Sequence, residues 1–154
     1  MNDLNSDKID RLEGQLISDG VSINEMSAAF SMYLLSCLDG GRVKIDGKYA
    51  DAIRESLGFS ANIGIVNASN EKKKSYRLKM AEIEISLRRV DPVTSAVARC
   101  AGDCLYGELD WQQNNDGDDT PLFYYLYHLE RVIPSVADDF FAFFCGYFGI
   151  MNIG

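Results

Sequence analysis

Residues 26–38 contain no charged side chain, and helix punctuation stands on either side of them. Ser22 and Glu25 have the spacing of a capping box, in which the hydroxyl accepts an amide of the first turn and the carboxylate reaches back to the cap. Val21 and Met26 stand where a hydrophobic staple would close. Gly40 and Gly41 follow as a stop. Inside the segment, Met26, Phe30, Tyr33, Leu34 and Cys37 form one stripe, and Ala29, Met32, Leu35 and Leu38 cover much of the rest. A helix that is apolar on most sides must be surrounded by others. The chain is therefore predicted to be an all-α bundle of six or seven helices with this segment at its centre.

Residues 6–18 read as an outer amphipathic helix, with Ile9, Leu12 and Leu16 at helical spacing and a stop at Asp19-Gly20. A third helix over about 47–57 aligns Tyr49, Ile53 and Leu57, with Gly58 as its stop. Residues 59–70, rich in Ser, Asn and Gly and anchored by Ile63, Ile65 and Val66, form a polar connection between two halves, 1–58 and 71–154, of one domain. In residues 76–90, Tyr76, Met80, Ile83, Leu87 and Val90 make a helical stripe, while Leu78, Met80, Ile83, Ile85 and Leu87 fit a bulged strand. Composition favours the helix. Val43 and Ile45 alternate with Arg42 and Lys44, so a short hairpin around 43–46 or 62–80 is the one β alternative.

Asp91-Pro92 places an N-cap before a first-turn proline and starts a helix with Val93, Val97, Cys100, Cys104 and Leu105 inward. Residues 107–119 read as a polar loop. Thr120-Pro121 then opens a helix with Leu122, Leu126, Leu129 and Ile133 inward, and Ser135 caps a last one whose Asp138 and Asp139 suit the positive end of its dipole. These two helices form an aromatic-rich hairpin expected against the central helix.

The length of the chain allows a core large enough to hold the fold together without covalent staples. Its four cysteines, Cys37, Cys100, Cys104 and Cys145, follow a polar N-terminus with no apolar signal core, so a reducing cytoplasmic setting with free thiols is expected. The uncharged run 140–151 is too short to span a bilayer and fits a buried helix.

Charge is unevenly spread. Residues 100–154 hold nine acids and one base, Arg131, whereas residues 61–99 hold four acids and eight bases, within a net charge of −8. Such an acidic end repels phosphate backbones and attracts basic proteins, so no direct nucleic-acid binding is expected and a basic protein partner is. Lys72-Lys73-Lys74 lacks the aromatic interleaving of a nucleic-acid platform and reads as solvated surface.

Motifs that carry chemistry are weak. The only histidine, His128, has no nucleophile motif around it and reads as a packing or surface residue. Cys100 and Cys104 share a helix face, yet two further soft ligands at metal-site spacing are missing, so small core residues are expected and no metal or other cofactor. A calcium loop with Gly117 at its sixth position would need carboxylates at Gln112 and Phe123, so that motif fails.

A surface remains. Trp111, the lone tryptophan, stands among Asp110, Asp116, Asp118 and Asp119, with Glu108 and Asp103 flanking, a composition suited to an interface anchor with an electrostatic guide. These seven residues are the candidate partner-binding site. The function expected is a non-enzymatic acidic inhibitor of the immunity-protein, antitoxin or phage anti-defence kind that blocks a basic, nucleic-acid-handling surface. The alternative is a helical adaptor or secretion chaperone whose C-terminal aromatics, Tyr124, Tyr125, Tyr127, Phe143 and Tyr147, bind a partner or form a homodimer.

Overall fold

The computed structural model describes residues 2–62, 68–107 and 121–151, and among these it has seven helices and no strand. They are α1 (Asp3–Ser18), α2 (Ile23–Asp39), α3 (Gly47–Ala61), α4 (Asn70–Leu87), α5 (Pro92–Asp103), α6 (Leu122–Glu130) and α7 (Ala137–Phe148). One apolar cluster draws on all seven.

Helix α2 starts and ends as its residues dictate. The Ser22 hydroxyl accepts from the Glu25 amide at 3.1 Å and the Glu25 carboxylate accepts from the Ser22 amide at 2.7 Å. At the other end Gly41 takes φ 73°, in the left-handed region. That turn lets Arg42 N–H reach the Cys37 carbonyl at 3.0 Å and Gly41 N–H reach that of Leu38 at 3.3 Å. The pair of bonds is a Schellman closure. Ten of its residues are buried, from Met26 to Leu38, but Met32 is 42% exposed, so one strip of the helix faces out. Phe30 sits in the centre with no exposure, its ring stacked on Tyr125 at 4.2 Å and meeting Phe140 edge-on at 6.3 Å. Helices α6 and α7 thus pack on α2 through aromatic rings, as the hairpin reading required.

Several boundaries differ from the sequence reading. Helix α3 runs through Gly58 to Ala61, because Phe59 packs on Tyr76 of α4 at 4.6 Å and Ser60 is buried. Those contacts outweigh the helix cost of one glycine. The connection to α4 is correspondingly shorter, and its expected anchors Ile63, Ile65 and Val66 lie outside the described residues. Residues 43–46 are irregular and 76–87 are helical, so neither β alternative forms among the described residues. The helical stripe prevails in α4, with Met80, Ile83 and Leu87 buried, while Leu78 and Ile85, needed inside by the strand, are 56% and 63% exposed; Val90, expected at the end of the stripe, lies beyond the helix and is 80% exposed.

Asp91 caps α5 as expected, but Val93 is 37% exposed and Val97 is the first apolar residue of the helix to be fully buried. Neither C-terminal helix has a side-chain cap: α6 follows Pro121, and α7 follows Val136, with Ser135 before it at φ 64° in the left-handed region. The Ser135 hydroxyl therefore stands one residue too early to cap. No described helix is long and apolar enough to cross a membrane.

Candidate functional site

Helices α4 and α5 pack more extensively on each other than any other pair, and α6 packs on α5 beyond them. Glu84 on α4 and Arg88, the C-cap of that helix, are one turn apart. On α5, Pro92, Ser95, Ala96 and Arg99 fall at helical spacing along one side, so all four face the same space. Together with His128 and Arg131 at the end of α6, these residues line a cavity of about 290 Å³.

A chain of charges runs through it. Glu84 Oε2 lies 3.9 Å from Arg88 Nη2 and 3.4 Å from Arg99 Nη1, and Arg99 Nε lies 3.4 Å from Asp103 Oδ1 one turn further on. Asp103 Oδ2 is 3.9 Å from His128 Nε2, and it is buried with no hydrogen-bond partner. That separation is beyond hydrogen-bond length. The Ser95 hydroxyl donates to the Glu84 backbone carbonyl at 2.7 Å, tying α5 to α4 beside the cavity.

Burial sets the protonation states. Desolvation pushes the Asp103 carboxyl up from 3.8 to about 6, outweighing the adjacent Arg99 guanidinium. Desolvation lowers the His128 imidazole below 6.5, and the positive charges of Arg99 and Arg131 lower it further. At neutral pH Asp103 is an anion beside a neutral imidazole, so their contact is not an ion pair. Ser95 is committed to a carbonyl, and burial raises the thiol pKa of the nearby Cys100 and Cys104, which disfavours thiolate chemistry there. The arrangement is suited to holding charge.

Of the seven candidate partner-binding residues, the structure describes only Asp103, whose side chain is 20% exposed and turned toward Arg99 and His128. Glu108, Asp110, Trp111, Asp116, Asp118 and Asp119 lie outside the described residues. The other described acids of the C-terminal third have separate settings. Asp138 is open and 3.5 Å from Lys8, and Asp139 accepts hydrogen bonds from Tyr33 at 2.6 Å and from Arg42. Glu130 buries one carboxylate oxygen that has no hydrogen-bond partner.

The aromatic surface is narrower than composition implied. Tyr125 is buried at 1% exposure, and Phe143 is half-buried against Tyr33 and Phe144. What α6 turns outward is Phe123, Tyr124 and Tyr127, at 38%, 41% and 44% exposure. Phe123 stacks on Tyr127 with ring centroids 6.1 Å apart and meets Tyr124 edge-on at 5.4 Å.

Sequence reading missed Glu84, Arg88, Arg99 and Arg131 as a group. The one-turn spacing of Glu84 and Arg88 and the spacing of Pro92, Ser95, Ala96 and Arg99 were the local signals, and neither says what lies opposite. Among the described residues no cluster of His, Cys, Asp and Glu has the makings of a metal site. The chain matches no family model, no curated protein and no solved structure.

Proposed function

We propose that this protein acts by binding a basic protein partner, with the outward rings of α6 as the contact and the acids just before that helix as the electrostatic guide. The observation that carries the reading is the exposure of Phe123, Tyr124 and Tyr127 on α6. Exposed rings gathered in this way are the material of interface hot spots. In sequence they closely follow residues 108–119, which include Glu108, Asp110, Asp116, Asp118 and Asp119 and no base. Carboxylates steer a cationic partner and rings hold it, so occupying a nucleic-acid-handling surface and blocking it is the activity this combination suits best.

The test is retention of a co-purifying partner by the wild-type chain, by D116N/D118N/D119N and by F123S/Y127S at two salt concentrations. Steering by exposed carboxylates predicts loss of the partner in the triple variant and elution at moderate salt, since such charges are screened within about 8 Å at physiological ionic strength. Retention that ignores both salt and the triple variant would overturn the inhibitor reading.

The second reading, an adaptor that dimerises through its C-terminal aromatics, draws on the same rings and on Tyr147, 45% exposed on α7. Salt-resistant dimers on size exclusion, dissociated by F123S/Y127S, would favour it.

A further inference from the structure

The cavity between α4, α5 and α6 has an unbalanced lining. Three guanidinium groups, Arg88, Arg99 and Arg131, converge on about 290 Å³, with Glu84 the one carboxylate among the described residues of the wall. Arg88 and Arg99 share that carboxylate, and Arg99 also contacts Asp103. Arg131 forms no ion pair among the described residues. In a chain of net charge −8, the three guanidinium groups outnumber the two carboxylates they touch, Glu84 and Asp103, with Arg99 inside α5 and Arg88 and Arg131 at the C-caps of α4 and α6.

We propose that this cavity binds a small, multiply charged oxyanion bearing phosphate or carboxylate groups. Guanidinium groups present planar pairs of N–H donors that match two oxygens at once, and either class of anion offers such pairs. Arg131 supplies the donors left unused, and Arg88 and Arg99 supply those not turned to Glu84 or Asp103. The volume is at the small end of ligand pockets, suited to a compact anion and too small for a dinucleotide. Pro92 and Ala96 form the apolar part of the wall.

The proposal is independent of the partner-binding reading, since the exposed α6 rings are not in the cavity wall. Calorimetric titration of the purified chain at low salt, with inorganic pyrophosphate in one arm and citrate in the other, tests it. One-to-one binding of either probe is expected, weakened tenfold or more by R131Q and abolished by R88Q/R131Q, with R11Q on α1 unchanged. Preference for pyrophosphate assigns a phosphate ligand and preference for citrate a carboxylate one. Absence of heat with both probes overturns the site, as does equal binding by R88Q/R131Q and R11Q when thermal melting shows both variants folded.

Discussion

The hydroxyls of Ser27 and Tyr125 share a hydrogen bond of 2.7 Å inside the core, joining residues 98 apart in the chain. Both side chains are buried, and the Tyr125 ring is stacked on Phe30, so the polar tip of an otherwise apolar contact is satisfied within it. Removing one partner leaves the other desolvated. S27A and Y125F should each cost about 1–2 kcal/mol in urea unfolding, and S27A/Y125F should cost less than their sum because no orphan hydroxyl remains. Additive costs would show that the bond contributes nothing to coupling α2 and α6.

A second polar relay joins two helix starts. The Asp46 amide donates to Thr94 Oγ1 at 2.9 Å, and that hydroxyl donates to Asp91 Oδ2 at 2.6 Å, while Asp91 Oδ1 accepts the Thr94 amide at 3.1 Å. Thr94 is fully buried. T94V keeps the shape and deletes the hydroxyl, so a loss of about 2 kcal/mol is expected, with T94S much milder. Equal losses for T94V and T94S would place the cause in packing instead.

Asp103 and His128 should give the stability profile two opposed slopes. The folded chain holds the Asp103 proton up to about pH 6 against an ordinary 3.8, so ionising it opposes folding; stability falls as pH rises between those values and nothing changes below 3.8. The full fall is on the order of 3 kcal/mol or less. His128, lowered below 6.5, acts the other way: protonation favours the unfolded chain, and stability rises as pH climbs toward 6.5. Glu84, Arg99 and Arg131 surround the pair and set its field. Urea midpoints at three values of pH, one near the ordinary carboxyl range, one near that of histidine and one above both, should show D103N without the fall and H128Q without the rise. A fall that survives in D103N assigns it to another group.

The rings of α6 should separate binding from folding. Phe123 and Tyr127 are 38% and 44% exposed, and their rings stack on each other. F123S/Y127S should therefore cost about 1 kcal/mol or less, mainly from the lost ring pair. F30A empties the centre of the core and should cost about 3–5 kcal/mol. Similar losses from the two would show that the outward face of α6 is part of the core.

Local rules accounted for the elements whose signals lie within one or two turns. The Ser22/Glu25 box, the Gly40-Gly41 stop, the Asp91 cap and the stripes of α1 and α4 were all legible, because each depends on neighbours a few residues away. Local rules failed where a distant contact reversed a local preference. Gly58 stays helical because Phe59 finds Tyr76, and Ser135 caps nothing because the turn before α7 takes it to positive φ. The candidate partner-binding acids other than Asp103 fall in a stretch the structure does not describe.

By itself, then, the order of residues determined that the chain is helical, where α2, α3 and α5 begin, and that most of residues 26–38 lie inside. Tertiary structure decided which rings of the C-terminal pair are buried, turning Tyr125 onto Phe30 and Phe123 outward. It also decided that Arg88, Arg99 and Arg131 share one cavity with Glu84 and His128. A helical period assigns a side chain to a face, but which faces meet depends on how three separate helices pack, and charges brought together that way have no signature in the spacing of any one of them.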